Sequence, residues 1–249
     1  MKVALIAIVF ASLARVQAAP VDVPAGIDHA PYDRLLKKYV NDRGLVNYAS
    51  WKAFAEDLQT LRDYTAKLAG DAPFAHRNER AASLVNAYNA LTLQWILDNY
   101  PVKSIRDTKN PWRAARHLVG GHKVSLDEIE HETLRVLLGY RTHAVLVCAA
   151  KSCPPLRAGA YTTSRLQEQL DEQMRVWLGR EDLNHFLPDK NRAELSKIFD
   201  WYGKDFEKEG GGLRGVLAKY EPDWKGQFRI EFLRYNWELN EQPPATASR

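Results

Sequence analysis

Seven side chains carry the chemistry that this sequence could perform. They are the thiols of Cys148 and Cys153, the imidazole of His143, the carboxyl of Glu130, the amides of Asn86 and Asn89, and the hydroxyl of Ser152. A thiol becomes a strong nucleophile once ionised, and an imidazole is the usual group to take its proton. Cys153 as attacking sulfur with His143 as base is therefore the sharpest chemistry on offer. In that arrangement Asn86 and Glu130 orient groups or stabilise charge, while Asn89, Cys148 and Ser152 contact substrate. The bland alternative pairs the two thiols. An even number of cysteines at short spacing is a disulfide candidate in an oxidising compartment, and the four residues between them, Lys151 and Ser152 included, let the chain fold back.

The surroundings constrain these options. Thr142–Ala149 is a short, β-branched apolar run that reads as a buried strand. In a strand, His143 and Cys148 point to opposite faces and stand roughly 16 Å apart at ~3.3 Å per residue, so they form no local dyad. Cys153 then reaches His143 only if its loop doubles back. The spacing of His143, Cys148 and Cys153 is unlike a metal site, and His117, His122 and His131 read as solvent-facing. No phosphate loop, dinucleotide glycine pattern or Gly-x-Ser-x-Gly elbow occurs, so no metal and no cofactor is expected.

Helices must position the set. Glu79–Asn99 is apolar on nearly every side, which belongs to a helix in the middle of a domain, and Pro101 ends it. Asn86 and Asn89 lie three apart on one side of it. Buried amides need partners, and they more often satisfy the backbone of a neighbouring loop than orient a substrate or a catalytic group. Ser125 with Glu128, flanked by Val124 and Ile129, spells a capping box and staple for a helix that stops at Gly139. Glu130 falls on its inward stripe with Leu126, Thr133, Leu134 and Leu137. Burial there raises a carboxyl pKa unless an arginine or several donors compensate. Helices are also expected from near Tyr32, over 51–68, from Ser164 to Gly179, over 196–206 and over 212–220, with a strand over 228–233. The fold class is α+β: a single domain, mostly helical, with a small sheet around a buried central helix.

The first eighteen residues have the parts of a secretory signal: Lys2, the apolar run Ala4–Leu13, and Val16-Gln17-Ala18 before a cut. The run is about half of what a membrane span requires. The expected organisation is a signal over 1–18, a flexible lead-in over 19–31, one globular domain over 32–240, and a disordered tail over 241–249. The net charge of +4 drops to +2 without Lys2 and Arg15, too little to argue for nucleic acid. The expectation is a periplasmic or secreted protein with no membrane span, open to a small-molecule or peptide ligand and of unspecified oligomeric state.

Several stretches resemble the domain of unknown function 547 family. They are Val85-Asn86-Ala87-Tyr88-Asn89-Ala90-Leu91, Ser125-Leu126-Asp127-Glu128-Ile129-Glu130-His131, and His143 through Cys148 to Ser152-Cys153-Pro154-Pro155-Leu156. The resemblance continues in Leu195-Ser196-Lys197-Ile198-Phe199-Asp200-Trp201-Tyr202 and Tyr235-Asn236-Trp237-Glu238-Leu239-Asn240. It runs in order over residues 32–240 and implies that Asn86, Asn89, Glu130, His143 and Cys148 fall in family motifs. Its bacterial members carry both thiols and a leader, which implies an envelope protein. A helix followed by a histidine-bearing strand is loosely similar to papain-like and transglutaminase-like folds, though those place a cysteine where this helix has Asn86. Two functions stand at this point: thiol-dependent acyl or amide hydrolysis or transfer, and a non-catalytic binding or scaffold domain closed by a Cys148–Cys153 disulfide.

Overall fold

The computed structural model describes residues 19–243 apart from 72, 209–210, 222–223 and 225–226. The signal expected over 1–18 and the tail beyond 243 lie outside the described residues. About half of the chain is helical and a tenth is strand, which makes it an α+β fold.

Helix α4 (Arg77–Asn99) is the axis around which the rest is laid. From Ala81 to Leu93 every residue is buried, so no face of this stretch meets water. Its N-terminal half packs into one apolar cluster with Leu126, Ile129, Leu134 and Trp177. Its C-terminal half packs into a second, with Tyr48, Trp51 and Leu61. Helices α1 (Ala30–Tyr39), α2 (Tyr48–Ala53) and α3 (Ala55–Lys67) cover this second cluster. The helix expected over 51–68 is thus two helices, broken at Phe54, whose backbone is extended. The lead-in over 19–31 is not a loose segment, because Val21 and Val23 are buried in the core and Pro24 pairs with Phe74. The chain from 241 to 243 is also held: Glu241 bridges Val46, and Gln242 donates to the carbonyls of Tyr39 and Leu45.

A hairpin of β1 (His117–Val119) and β2 (His122–Val124) leads into the capped helix. The capping box is complete: Ser125 Oγ accepts from the Glu128 N–H, and Glu128 accepts from the Ser125 N–H. The segment is α-helical at α5 (Leu126–Glu128), widens into a π turn over Ile129–Leu134, and returns to α-helix at α6 (Arg135–Leu138). Gly139 ends it with φ of 58°, which a glycine adopts without steric cost.

Thr142–Ala149 is not a strand. Thr142–Val145 is a helical turn, α7, after which the backbone runs extended and then turns left-handed at Ala149, φ 59°. Helix α8 (Leu166–Leu178) follows. Next come β3 (His185–Leu187), β4 (Arg192–Leu195), α9 (Lys197–Trp201), α10 (Gly203–Phe206), α11 (Gly212–Tyr220) and β5 (Arg229–Phe232). The helix expected over 196–206 is two pieces, α9 and α10. The sheet has order β3-β4-β5, with β3 antiparallel and β5 parallel to β4.

Candidate functional site

Glu130, His143, Cys148 and Cys153 line one cleft of about 630 Å³. That is within the usual range for a small-molecule site. Because residues 142–149 form a helical turn and a bend, the ~16 Å separation expected of a strand does not arise. His143 and Cys148 open onto the same cavity.

Asn86 and Asn89 are built into the walls. The Asn86 amide donates to the Tyr161 carbonyl at 2.8 Å and accepts from the Tyr161 N–H at 2.9 Å. Asn89 does the same one turn on, donating to the Val145 carbonyl at 2.9 Å and accepting from the Val147 N–H at 3.0 Å. Both amides are spent on backbone, and neither lines the cleft. Asn89 thereby fixes the segment that carries Cys148. Ser152 also lies outside the cleft: its hydroxyl accepts from the Asn236 N–H at 2.9 Å. With the Lys151 N–H donating to the Glu238 carbonyl and the Ser152 N–H to the Asn236 carbonyl, that bond pins the cysteine loop to the segment bearing Tyr235.

The thiols are unbonded and in contact, with sulfurs 2.7 Å apart. Cys153 Sγ also accepts from the Cys148 N–H at 3.1 Å and lies 3.2 Å from the Tyr235 hydroxyl. Burial alone would raise its pKa. The Cys148 S–H, the Tyr235 O–H and the backbone amides of Ala150 and Cys148 outweigh burial and lower it. Cys148 moves the other way: as donor to Cys153, partly desolvated and near Glu130, its proton is held tightly. Of the two thiols, Cys153 is therefore the one that ionises more readily.

Glu130 points inward as its stripe requires, with a side chain 12% exposed. It meets hydroxyls where an arginine was an alternative: Tyr88 donates to Oε2 at 3.3 Å, and Tyr202 hydrogen-bonds it too. Burial raises its pKa, only partly opposed by His131, Tyr202 and Arg135. The π turn over Ile129–Leu134 carries Glu130, and such widened turns are frequent at functional sites. His131 also borders the cleft, accepting from Arg135 at 2.8 Å, and so is not a plain surface histidine. His117 is half-buried, and burial lowers its pKa to about 4.

His143 is held by Asp205. Its Nε2 lies 2.9 Å from Asp205 Oδ2, and since an ionised carboxylate only accepts, the imidazole N–H donates there. Burial lowers the His143 pKa to about 4 in spite of Asp205, so the ring is neutral at pH 7. Its face stacks on Tyr202 at 4.0 Å, placing it one step behind the Tyr202–Glu130 hydrogen bond. Burial works against the charge on Asp205, but hydrogen bonds from Arg135, His143 and Lys208 hold its carboxyl well below the usual range.

Tyr88, Arg135, Tyr202, Asp205 and Tyr235 were not singled out by type and spacing. Tyr202 and Tyr235 do lie in the family-like stretches at 195–202 and 235–240, which was their available signal. Trp201, Tyr235, Trp237 and Trp112 form a continuous aromatic wall, with ring centroids 4.5 to 5.9 Å apart. Among the described residues, no group of three or more His, Cys, Asp or Glu side chains could hold a metal ion. No described helix is long and apolar enough to cross a membrane.

No curated protein and no solved structure matches the chain. Residues 73–178 match a family model described as a protein of unknown function, DUF547. That segment contains Asn86, Asn89, Glu130, His143 and both cysteines, whereas Tyr202 and Tyr235 reach the cleft, and Asp205 reaches His143, from beyond it. The match over residues 73–178 supports the resemblance to the DUF547 family.

Proposed function

We propose an exported, thiol-dependent enzyme in which Cys153 hydrolyses or transfers an acyl or amide group. One observation carries the reading: the Cys153 sulfur, at the edge of a substrate-sized cleft, is the focus of an amide N–H, a phenolic hydroxyl and a second thiol. Donors converging on a sulfur stabilise the thiolate, which is the attacking form. The sulfur then needs no histidine partner. It attacks the carbonyl carbon, and Glu130, whose carboxyl holds its proton more tightly because it is buried, supplies the proton to the leaving group. Tyr88 and Tyr202 orient the carboxyl, and His143 with Asp205 fixes Tyr202 from behind. The leader over 1–18 supports a periplasmic or secreted location. The small net charge supports a small-molecule or peptide substrate over nucleic acid.

Reduced protein incubated with p-nitrophenyl acetate tests this directly. The expected result is one acetyl group, mapped by peptide mass spectrometry to Cys153 and absent in Cys153→Ser. Acetylation of Cys153 no faster than in urea-unfolded protein refutes the reading.

The sulfur contact favours a second reading, a binding or scaffold domain of the cell envelope with Cys148 and Cys153 bonded. It predicts that protein isolated without reductant carries the bond stoichiometrically, and that Cys153→Ser has no phenotype.

A further inference from the structure

We infer that Cys148 and Cys153 are a redox-active dithiol that exchanges with low-molecular-weight disulfides. The inference rests on the reading of Cys153 as a nucleophile but not on acyl chemistry.

Three observations lead there. First, the loop is held in a pairing geometry from both sides. Asn89 clamps Val145 and Val147, and residues 151–152 are hydrogen-bonded to the segment 236–238. The sulfurs meet without chain rearrangement. Second, a bond between them would staple little. It would close a loop of a few residues already fixed by these hydrogen bonds, and the stabilisation from a cross-link grows with loop length. Third, the donors favour the reduced state. The Cys148 N–H and the Tyr235 hydroxyl serve a thiolate, while a neutral disulfide sulfur is a poor acceptor. Stabilising the reduced form is what turns a disulfide into an oxidant.

Both residues line the cleft, and Cys148 is partly exposed. The cleft is thus the way in for a small disulfide, to Cys148 directly and to the buried Cys153 beside it.

In the exchange, the Cys153 thiolate attacks one sulfur of R–S–S–R. The old S–S bond breaks, one R–S⁻ leaves, and a mixed disulfide forms on Cys153. Cys148 then gives up its proton and attacks Cys153 Sγ, expelling the second R–S group, which leaves with that proton. Two electrons pass from the dithiol to the small disulfide, and the Cys148–Cys153 bond is the oxidised product.

The test uses the reduced full chain in glutathione redox buffers, quenched by alkylation and read by mass spectrometry. The expected result is reversible half-oxidation within the glutathione range, with no glutathione retained by the wild type. Cys148→Ser should trap a single glutathione on Cys153. Tyr235→Phe, which keeps both thiols, should slow exchange about tenfold and make the bond harder to reduce, since the thiolate loses a hydrogen-bond donor. A pair that stays oxidised in the most reducing mixture overturns the inference. So does a wild type carrying two glutathiones, or a Tyr235→Phe variant with unchanged rate and midpoint. Faster oxidation by a folded disulfide protein than by oxidised glutathione overturns the assigned substrate class. Cys153 acetylation without exchange removes this inference and leaves the proposed function standing; exchange without acetylation does the reverse.

Discussion

Two buried polar clusters meet where His143 stacks on Tyr202, and they are finished differently. Around Asp205 every charge has a counterpart: Arg135, His143 and Lys208 all reach the one carboxylate. Around Glu130 and the thiols the balance is incomplete. The carboxyl meets hydroxyls in place of an ion-pair partner within hydrogen-bond range, and the donors around the two sulfurs lower the pKa of Cys153. A saturated cluster holds shape and resists change. One left with a raised acid beside a lowered thiol holds protons that can move. Reactivity in this fold is therefore expected on the Glu130–Cys153 side, with the Asp205 side as its frame.

The comparison breaks most visibly if the frame is removed. Asp205→Ala leaves Arg135 and His143 without their acceptor in a buried site and should cost on the order of 3–5 kcal/mol in urea denaturation. Asp205→Asn keeps an oxygen acceptor and should cost less. Equal and small losses in the two variants would show that the cluster frames nothing.

A slightly smaller effect is expected from pH. His143 has a folded pKa of about 4 against an ordinary 6.5, so between those values the unfolded chain binds the extra proton. Its contribution is whole above pH 6.5 and is lost as pH falls towards 4, about 3 kcal/mol at ~1.4 kcal/mol per pKa unit. His117 adds to the same limb. His143→Gln can still donate to Asp205 but does not titrate, so its stability should fall less steeply over that window. An identical slope would place the ring in water.

Part of this was legible from spacing. Helix α4 announced itself by being apolar on all sides, and the capping box at Ser125 and Glu128 aimed Glu130 inward. The run 142–149 was not legible, because its β-branched residues suit an extended chain as well as the short turn it forms. What decides is Asn89, which supplies the donor and acceptor that a neighbouring strand would have given to Val145 and Val147. Side chains that stand in for a strand leave no period in the sequence. Nor could spacing bring Asp205 to His143 or Tyr235 to the cysteines, since those contacts span 62 and more than 80 residues.

The two asparagines sharpen the comparison further. Asn86→Ala and Asn89→Ala each leave a buried N–H and C=O unpaired and should each cost about 2–3 kcal/mol. Their effects on the thiols should differ. Asn89 holds the segment leading to Cys148, so its loss should raise the rate of Cys148 alkylation in the folded protein. Asn86 holds Tyr161, away from the cleft, and should leave that rate unchanged. Equal rates in the two variants would remove Asn89 from the positioning of the loop.

The smallest effect on stability belongs to Glu130→Gln, and its sign is what separates the clusters. Burial raises the Glu130 pKa above 4.5, so the folded state binds the proton more tightly than the unfolded chain does. The carboxyl stabilises the fold fully only while protonated, and it becomes a growing cost as pH rises from 4.5 through its folded value. Glutamine never ionises and can still accept from Tyr88, so the variant should equal the wild type in acid and exceed it in stability at neutral pH. It should nonetheless fail to turn over any ester or amide substrate whose leaving group needs a proton, while Cys153 is still acylated by p-nitrophenyl acetate, whose leaving group needs none. A Glu130→Gln protein less stable than the wild type at pH 7 would move Glu130 into the frame with Asp205, and the division of the cleft into a scaffold and a reactive side would fail.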